Sequence, residues 1–500
     1  MTKRKKKNLL TLIFLVVMLG LMSGFYVWYL NKNKDRGETA SEDDSLILAT
    51  MDPDLIERIH FKNDEADMIL ILEDDTWVTE ADKERPIKQN YVDNMISIID
   101  EVKAERIVDE KPEDLAQYGL VSPYASLKAT QSDGKSVTLL LGDEVSGGQG
   151  YYAKLDGNDT VFIVPTLYGT YLSYSDVSMT QVDNGPSLTS NDIYHIEVLK
   201  KDGEDFELIY DEDSKYHKAG TPLLSWAVLK PFEEPYSADS SKVSEVISNF
   251  TRFYFLSCVD YKGEDLAKYG LEDPTASILV EYYEQHEEEL DEPQKDPDTG
   301  EEITTKTVTK EKSFKLYIGN LNDKGDYYVR KDGEAAVYTM EAEDVDAMLQ
   351  VDAFSILSTF ISIYNIETVD RIDIDISGKP YTMEIKREVT TDSEGNEETK
   401  ASYYYNGKEV EEDTFKDVYQ VMIGAKFDTQ LKEEVSLKEL DPILTISYHL
   451  EDSDKTYTSK YYPYDESFYI ADNGGPIIFK ADKRRIDQII KTIEEFKKAE

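Results

Sequence analysis

The sequence predicts an α+β protein: an N-terminal transmembrane helix followed by two or three repeated modules, each an antiparallel β-sheet with one main helix. Three observations predict it. An uncharged apolar run fills residues 9–30 behind a basic tail. The heptad Asp-Leu-Ala-x-Tyr-Gly-Leu occurs at Asp114–Leu120 and again at Asp265–Leu271, and each copy has a proline three residues after its leucine, Pro123 and Pro274. Strand-length apolar runs are separated by turn signals such as Asp133-Gly134 and Asn473-Gly474.

Composition sets the outer limits. The chain has 500 residues, 40% of them hydrophobic and 35 of them tyrosine, enough for packed cores in spite of 102 acidic against 55 basic side chains. A formal charge of -47 repels phosphate backbones, so nucleic acid is not an expected partner. With Cys258 as the sole cysteine, no intramolecular disulfide framework and no cysteine-based zinc site can form. Its apolar neighbours Val243, Ile247, Phe250 and Phe253 mark Cys258 as a buried small hydrophobe at the end of a helix.

The elements follow in order. Residues 1–8 form a cytoplasmic basic tail with five lysines and arginines. The 22 residues Leu9 to Leu30 make about 33 Å of helix, enough to cross a hydrocarbon core of about 30 Å. Tyr26, Trp28 and Tyr29 mark its outer interface, which places the bulk of the chain outside the cell membrane. A cleaved signal peptide would have a shorter apolar region ending in small residues, so an anchor is the reading taken. Residues 31–50 are polar and small, as a stalk should be.

Module 1 spans 51–180, with strands around Ile56–Phe61 and Met68–Leu72, Trp77-Val78, a helix from Gln89 to Val102, and strands from Ala125 to Val164. Module 2 spans 190–360 and repeats that order: Ile193–Leu199, Phe206–Tyr210, Trp226, a helix from Ser240 to Ser257, then strands from Ser277 to Thr339. An acidic insertion at 284–311 should form an extended solvated hairpin or loop. Module 3, at 364–500, is divergent: a helix from Thr414 to Lys426, strands from Ile443 to Lys480 and a closing helix from Lys483. There Leu437-Lys438-Glu439-Leu440-Asp441-Pro442 stands where the Tyr-Gly-Leu motif stood.

Each motif residue has a structural task. Asp114 and Asp265 can cap a short helical turn; Tyr118, Leu120, Tyr269 and Leu271 can pack back on the module. Gly119 and Gly270 can take the left-handed conformation that ends the turn, and Pro123 and Pro274 start the next extended run. A binding use for Tyr118 and Tyr269 as paired aromatic platforms is the competing reading.

The anchor, the Trp77 and Trp226 strands, the two Tyr-Gly-Leu-x-x-Pro motifs and the glycines Gly142 and Gly319 together resemble the bacterial family of domain of unknown function 4340. The resemblance implies a single-pass membrane protein with a large outer domain, associated with subunits of ABC-type transporters related to gliding-motility systems. It brings no catalytic residues with it.

Nothing in the pattern announces catalysis, a cofactor or a metal. The five histidines, at 60, 195, 217, 286 and 449, lack ligand spacing; His60 and His195 fall at comparable places in the first strands of modules 1 and 2, on exposed faces. Gly147-Gly148-Gln149-Gly150 lies between strands and reads as a connection. The acidic groups around Gly300 and Gly395 lack the order of a calcium loop and read as hairpin tips. The expected function is an accessory or interaction protein beside an ABC-type transporter or envelope complex. The alternative is binding of cell-wall glycan by exposed tyrosines at 403–405 and 461–464.

Overall fold

The computed structural model describes residues 46–211, 225–295, 302–391, 397–433, 435–451, 456–475 and 477–496, with the backbone alone at 291–295, 302–303, 390–391 and 397–398. The expected membrane helix at 9–30 and the acidic tips around Gly300 and Gly395 lie outside the residues so described. Among the described residues no helix is long and apolar enough to cross a membrane.

The chain divides into two compact units at Gln181/Val182. The first is built on an eight-stranded antiparallel sheet. Its spatial order is Thr76–Thr79, Asp67–Glu73, Ile56–Asn63, Ala125–Gln131, Ser136–Glu144, Tyr151–Leu155, Val161–Val164 and Arg106–Asp109. The helix Gln89–Ile99 buries Val92, Met95, Ile98 and Ile99, each adding about 1.5–3 kcal/mol over an exposed side chain. They share one core with Ile59, Phe61, Leu127 and Leu139 of the sheet. This helix is shorter than the apolar pattern indicated. The Asp100 carboxylate accepts the Glu101 N–H and its carbonyl accepts the Met51 N–H, so the chain leaves the helix and enters the strand Glu101–Ala104. That strand pairs with Leu46–Thr50, whose Leu48 and Ala49 pack on the core; the supposed stalk therefore ends before Leu46.

The second unit holds two nine-stranded sheets with the same order of strands. Along the first run Tyr236–Ser237, Trp226–Lys230, Phe206–Tyr210, Ile193–Lys200, Ala276–Lys295, Glu302–Leu321, Tyr327–Lys331, Val337–Met340 and Ser257–Asp260. Along the second run Lys408–Val410, Glu397–Tyr405, Lys379–Thr391, Val369–Ile376, Leu444–Leu450, Thr456–Pro463, Phe468–Asp472, Phe479–Asp482 and Thr429–Gln430. Module 3 has diverged in sequence while keeping this topology. One hydrophobic core runs through both sheets, from Ile196 and Phe253 to Ile372 and Phe479. The Tyr236 hydroxyl, which accepts the Ile477 N–H at 3.0 Å, ties the two modules together.

Several expected helices change. The helix predicted over Ser240 to Ser257 ends at Ser248. Beyond it Phe253 and Phe255 are buried while Tyr254 between them is 61% exposed, a strand-like alternation that a helix could not give. Cys258 is buried, but on the strand Ser257–Asp260. The helix of module 3 is Glu412–Ile423. Beside their main helices modules 1 and 2 carry short ones, Thr166–Tyr171, Asp176–Met179 and Ala342–Leu349, and module 3 closes with the expected helix, Lys483–Phe496, which has a long apolar stripe. The insertion forms an antiparallel ribbon, in register from Ala276 opposite Ile318 to Glu289 opposite Thr305.

Candidate functional site

The repeated motif folds into a clasp. Its turns, Ala116–Tyr118 and Leu266–Tyr269, end at Gly119 and Gly270 with φ of 68° and 70°. Asp114 accepts the Ala116 N–H at 2.8 Å and Asp265 accepts the Lys268 N–H at 3.2 Å. Each clasp closes on a glycine of a neighbouring strand: a Cβ at Gly142 would lie under 3.0 Å from the Tyr118 carbonyl oxygen, and one at Gly319 equally close to that of Tyr269. Leu120 and Leu271 are buried beside them, and Pro123 and Pro274 stand two residues ahead of the strands that begin at Ala125 and Ala276.

The clasp tyrosines are already engaged. Tyr118 meets Tyr152 edge to face at 5.0 Å and donates to Asp109 at 3.3 Å; Tyr269 meets Tyr328 in the same way at 4.9 Å, with Lys268 over its ring. Desolvation first, then Asp109 or Asp260, raises both phenols above their ordinary range. In module 3 the strand pairing puts Tyr462 where the other modules have Gly142 and Gly319. A tyrosine there leaves no room for the carbonyl, and Leu440 ends the turn with φ of -110° in place of a left-handed glycine. Leu437 and Leu440 pack instead against the cluster of Leu431, Tyr462 and Ile470. Both halves of the glycine contact are therefore lost together.

The solvent-side faces of the sheets carry a second repeated feature. The first strand of each module has a bulge after Ile56, Ile193 or Val369, and the basic residue just beyond it is Arg58, His195 or Arg371. His195 therefore corresponds to Arg58, not to His60, which stands two residues further along its strand. Arg58 forks onto Glu80, with one arm at 2.8 Å. The His195 ring lies between Glu281 at 2.6 Å and Glu207 at 3.3 Å, and Arg371 binds Asp373 at 2.8 Å and Glu384 at 3.3 Å.

Two residues further on, His60 bonds Asp67, Glu197 accepts from Lys230, and Asp373 bonds His449. His195 is thus mostly buried between carboxylates, where the sequence suggested an exposed face. These contacts hold Asp67, Asp373 and Lys230 in their charged forms. Hydrogen bonds from Lys62 and His60 keep Asp67 below the usual carboxylate range. Desolvation works against the charge of Asp373, but Arg371 and His449 outweigh it and its pKa stays low; Lys230 is likewise desolvated, yet Glu197 and Glu207 raise it. Among the described residues no group of three or more histidines, cysteines or acids is placed to hold a metal.

The sheet margins differ between modules. In module 1 the Gln89 side-chain amide imitates a strand, accepting the Trp77 N–H at 2.8 Å and donating to the Trp77 carbonyl at 2.9 Å. In module 2 the segment around Leu357 bridges to Ala238, and Ser358 donates to the Ser237 carbonyl. In module 3 Lys408–Val410 covers only Tyr403–Tyr405, so Glu397–Ser402 has no further strand beside it among the described residues. A groove of about 720 Å³ opens there, lined by Ser402, Tyr403, Val410 and Phe496 and rimmed by Glu409, Glu411 and Glu412. The Tyr403 hydroxyl points to Glu412, which also pairs with Lys416 and is held below its ordinary range by it. Sequence reasoning missed this edge; the shortness of the Lys408–Val410 strand was its only signal.

Comparison with known families matches the chain to the domain of unknown function DUF4340 over residues 77–234 and 226–437. The chain belongs to the DUF4340 family. No curated protein and no solved structure matched it. The two DUF4340 segments are out of phase with the sheets: each starts on a tryptophan strand, at Trp77 or Trp226, and the first ends past the tryptophan strand of the following module. A DUF4340 unit is thus the later half of one sheet joined to the earlier half of the next. Of the tyrosines named for glycan stacking, Tyr403, Tyr405, Tyr461 and Tyr462 are buried, while Tyr404 and Tyr464 are half-buried.

Proposed function

We propose that this DUF4340 protein is a membrane-anchored, outward-facing, non-enzymatic accessory subunit that works beside an ABC-type transporter or another envelope complex. The observation that carries the reading is the repeated, ion-paired sheet face. Arg58, His195 and Arg371 recur at one structural position, each bonded to carboxylates, which suits a fixed recognition surface on each sheet better than chemistry. The apolar run at 9–30 behind five basic residues supports the anchor, and the charge of -47 supports a cationic or neutral partner.

Co-purification from solubilised membranes tests the proposal. The expected result is recovery of transporter subunits with the full-length chain, lost when residues 46–500 are expressed without the anchor. Recovery of the full-length chain alone in every detergent tried would overturn it.

A further inference from the structure

We propose that the open margin Glu397–Ser402 and its groove take up an extended, lysine- or arginine-bearing segment of a partner protein as an added β-strand. This rests on the interaction-protein reading and supplies the partner's chemistry. The edge that Gln89 closes at Trp77 in module 1 and Ala238 closes at Trp226 in module 2 is closed at Tyr403 by Val410 in module 3, and Glu397–Ser402 runs on beyond that point. In module 3 the covering strand stops at Val410, and the chain then turns into the helix Glu412–Ile423. The backbone of Glu397–Ser402 pairs with Lys379–Thr391 on one side. Its other side continues the line of Lys408–Val410, which is the geometry of strand addition.

The groove selects the side chains. Val410 and Phe496 offer apolar contact, while exposed Glu409 and Glu411 outnumber Lys408 at the rim and the nearby Glu412 pairs with Lys416. A second copy of this chain is the poorer occupant, since two molecules of charge -47 repel. A cationic strand gains from the same field and brings its own amides to the ladder.

The probe is a ten-residue peptide of alternating lysine and valine, titrated onto the full-length protein in detergent and followed by fluorescence anisotropy. Three comparisons separate strand addition from general attraction to an acidic protein. N-methylation of the peptide amides keeps its charge and should weaken binding about tenfold or more by removing backbone pairing. The exposed double variant E409Q/E411Q should also weaken binding about tenfold, and E343Q/D344N, the same charge change on the helix Ala342–Leu349, less than about twofold.

Equal binding of the methylated peptide, or equal loss in both double variants, would overturn the proposal. So would a dimer seen by sedimentation that buries this margin and is not displaced by the peptide. Failure here with transporter subunits still recovered removes this inference and leaves the proposed function standing; loss of both removes the function as well.

Discussion

Replacing Gly319 by alanine should cost far more than the loss of a glycine usually does. Its backbone is not left-handed, so alanine is conformationally acceptable and the whole effect is steric. The new methyl would lie under 3.0 Å from the Tyr269 carbonyl oxygen and 3.0 Å from Leu271 Cγ. Relief needs the strand and the clasp to separate by roughly 1 Å. Carbonyl and strand are both backbone, so no side chain can swing away. Overpacking of this kind costs about 1–3 kcal/mol. Partial exposure of Tyr269 and Leu271, now 5% and 2% exposed, adds to it, for a total of about 3 kcal/mol. Gly325→Ala is the reference: at φ of 91° with no atom within 4 Å, it should cost only about 1–2 kcal/mol through backbone strain. Hydrogen exchange read by mass spectrometry suits a protein of two units. The Leu271 amide, bonded to the Leu266 carbonyl, should lose protection in Gly319→Ala and keep it in Gly325→Ala. Equal costs in a urea titration with unchanged Leu271 protection would refute the clasp.

Three further perturbations follow. His195→Ala should lose about 2 kcal/mol by leaving Glu207 and Glu281 facing each other, whereas His195→Arg, which copies Arg58 and Arg371, should stay within about 1 kcal/mol of the parent in urea titrations; equal losses would break the structural alignment. Tyr236→Phe leaves the Ile477 N–H without its acceptor and should cost about 1–3 kcal/mol in the second unit. Burial raises the Tyr236 phenol to about 12, so its contribution is complete below pH 10 and is lost as pH rises toward 12. The variant should therefore show a shallower alkaline decline in urea midpoint, and an unchanged slope would contradict this. Asp482, hydrogen-bonded by Arg484, has its pKa lowered from 3.8 to about 2. Its stabilisation of the helix Lys483–Phe496 is complete above about pH 4 and fades as pH falls toward 2. Asp482→Asn should remove that acid-dependent step from amide exchange at the helix start.

The legible part of the fold was what local sequence controls. Alternation in Ile56–Phe61 and its counterparts, the turn glycines and the clasp motif each depend on residues close in the chain, and each is found in place. What escaped depends on distant contacts. The helix ending at Ile99 is stopped partly by Met51, and the end at Ser248 is followed by phenylalanines held from other strands, as in the packing of Phe253 on Phe314. The bulges after Ile56, Ile193 and Val369 have no local signal. Tyr461 and Tyr462 look alike in sequence, yet one fills the main core and the other the small cluster with Leu431 and Ile470. That Glu397–Ser402 has a strand on one side only, among the described residues, was hidden because a strand carries no local mark of whether a neighbour lies beside it.

The phase offset between DUF4340 units and sheets bears on how such a chain can lengthen. Inserting one unit, from tryptophan strand to tryptophan strand, completes the sheet before it and begins the sheet after it, so the number of whole sheets rises by one and no half is stranded. The halves at the two ends lie outside the matched segments: Ile56–Asn63 with Asp67–Glu73 at the start, and Leu444–Leu450 with the strands after it at the finish. They pair with strands of the matched segments and so complete the first and last sheets. A fragment cut at the family limits would begin and end with half a sheet, so working fragments should be cut at Gln181, where the compact units part.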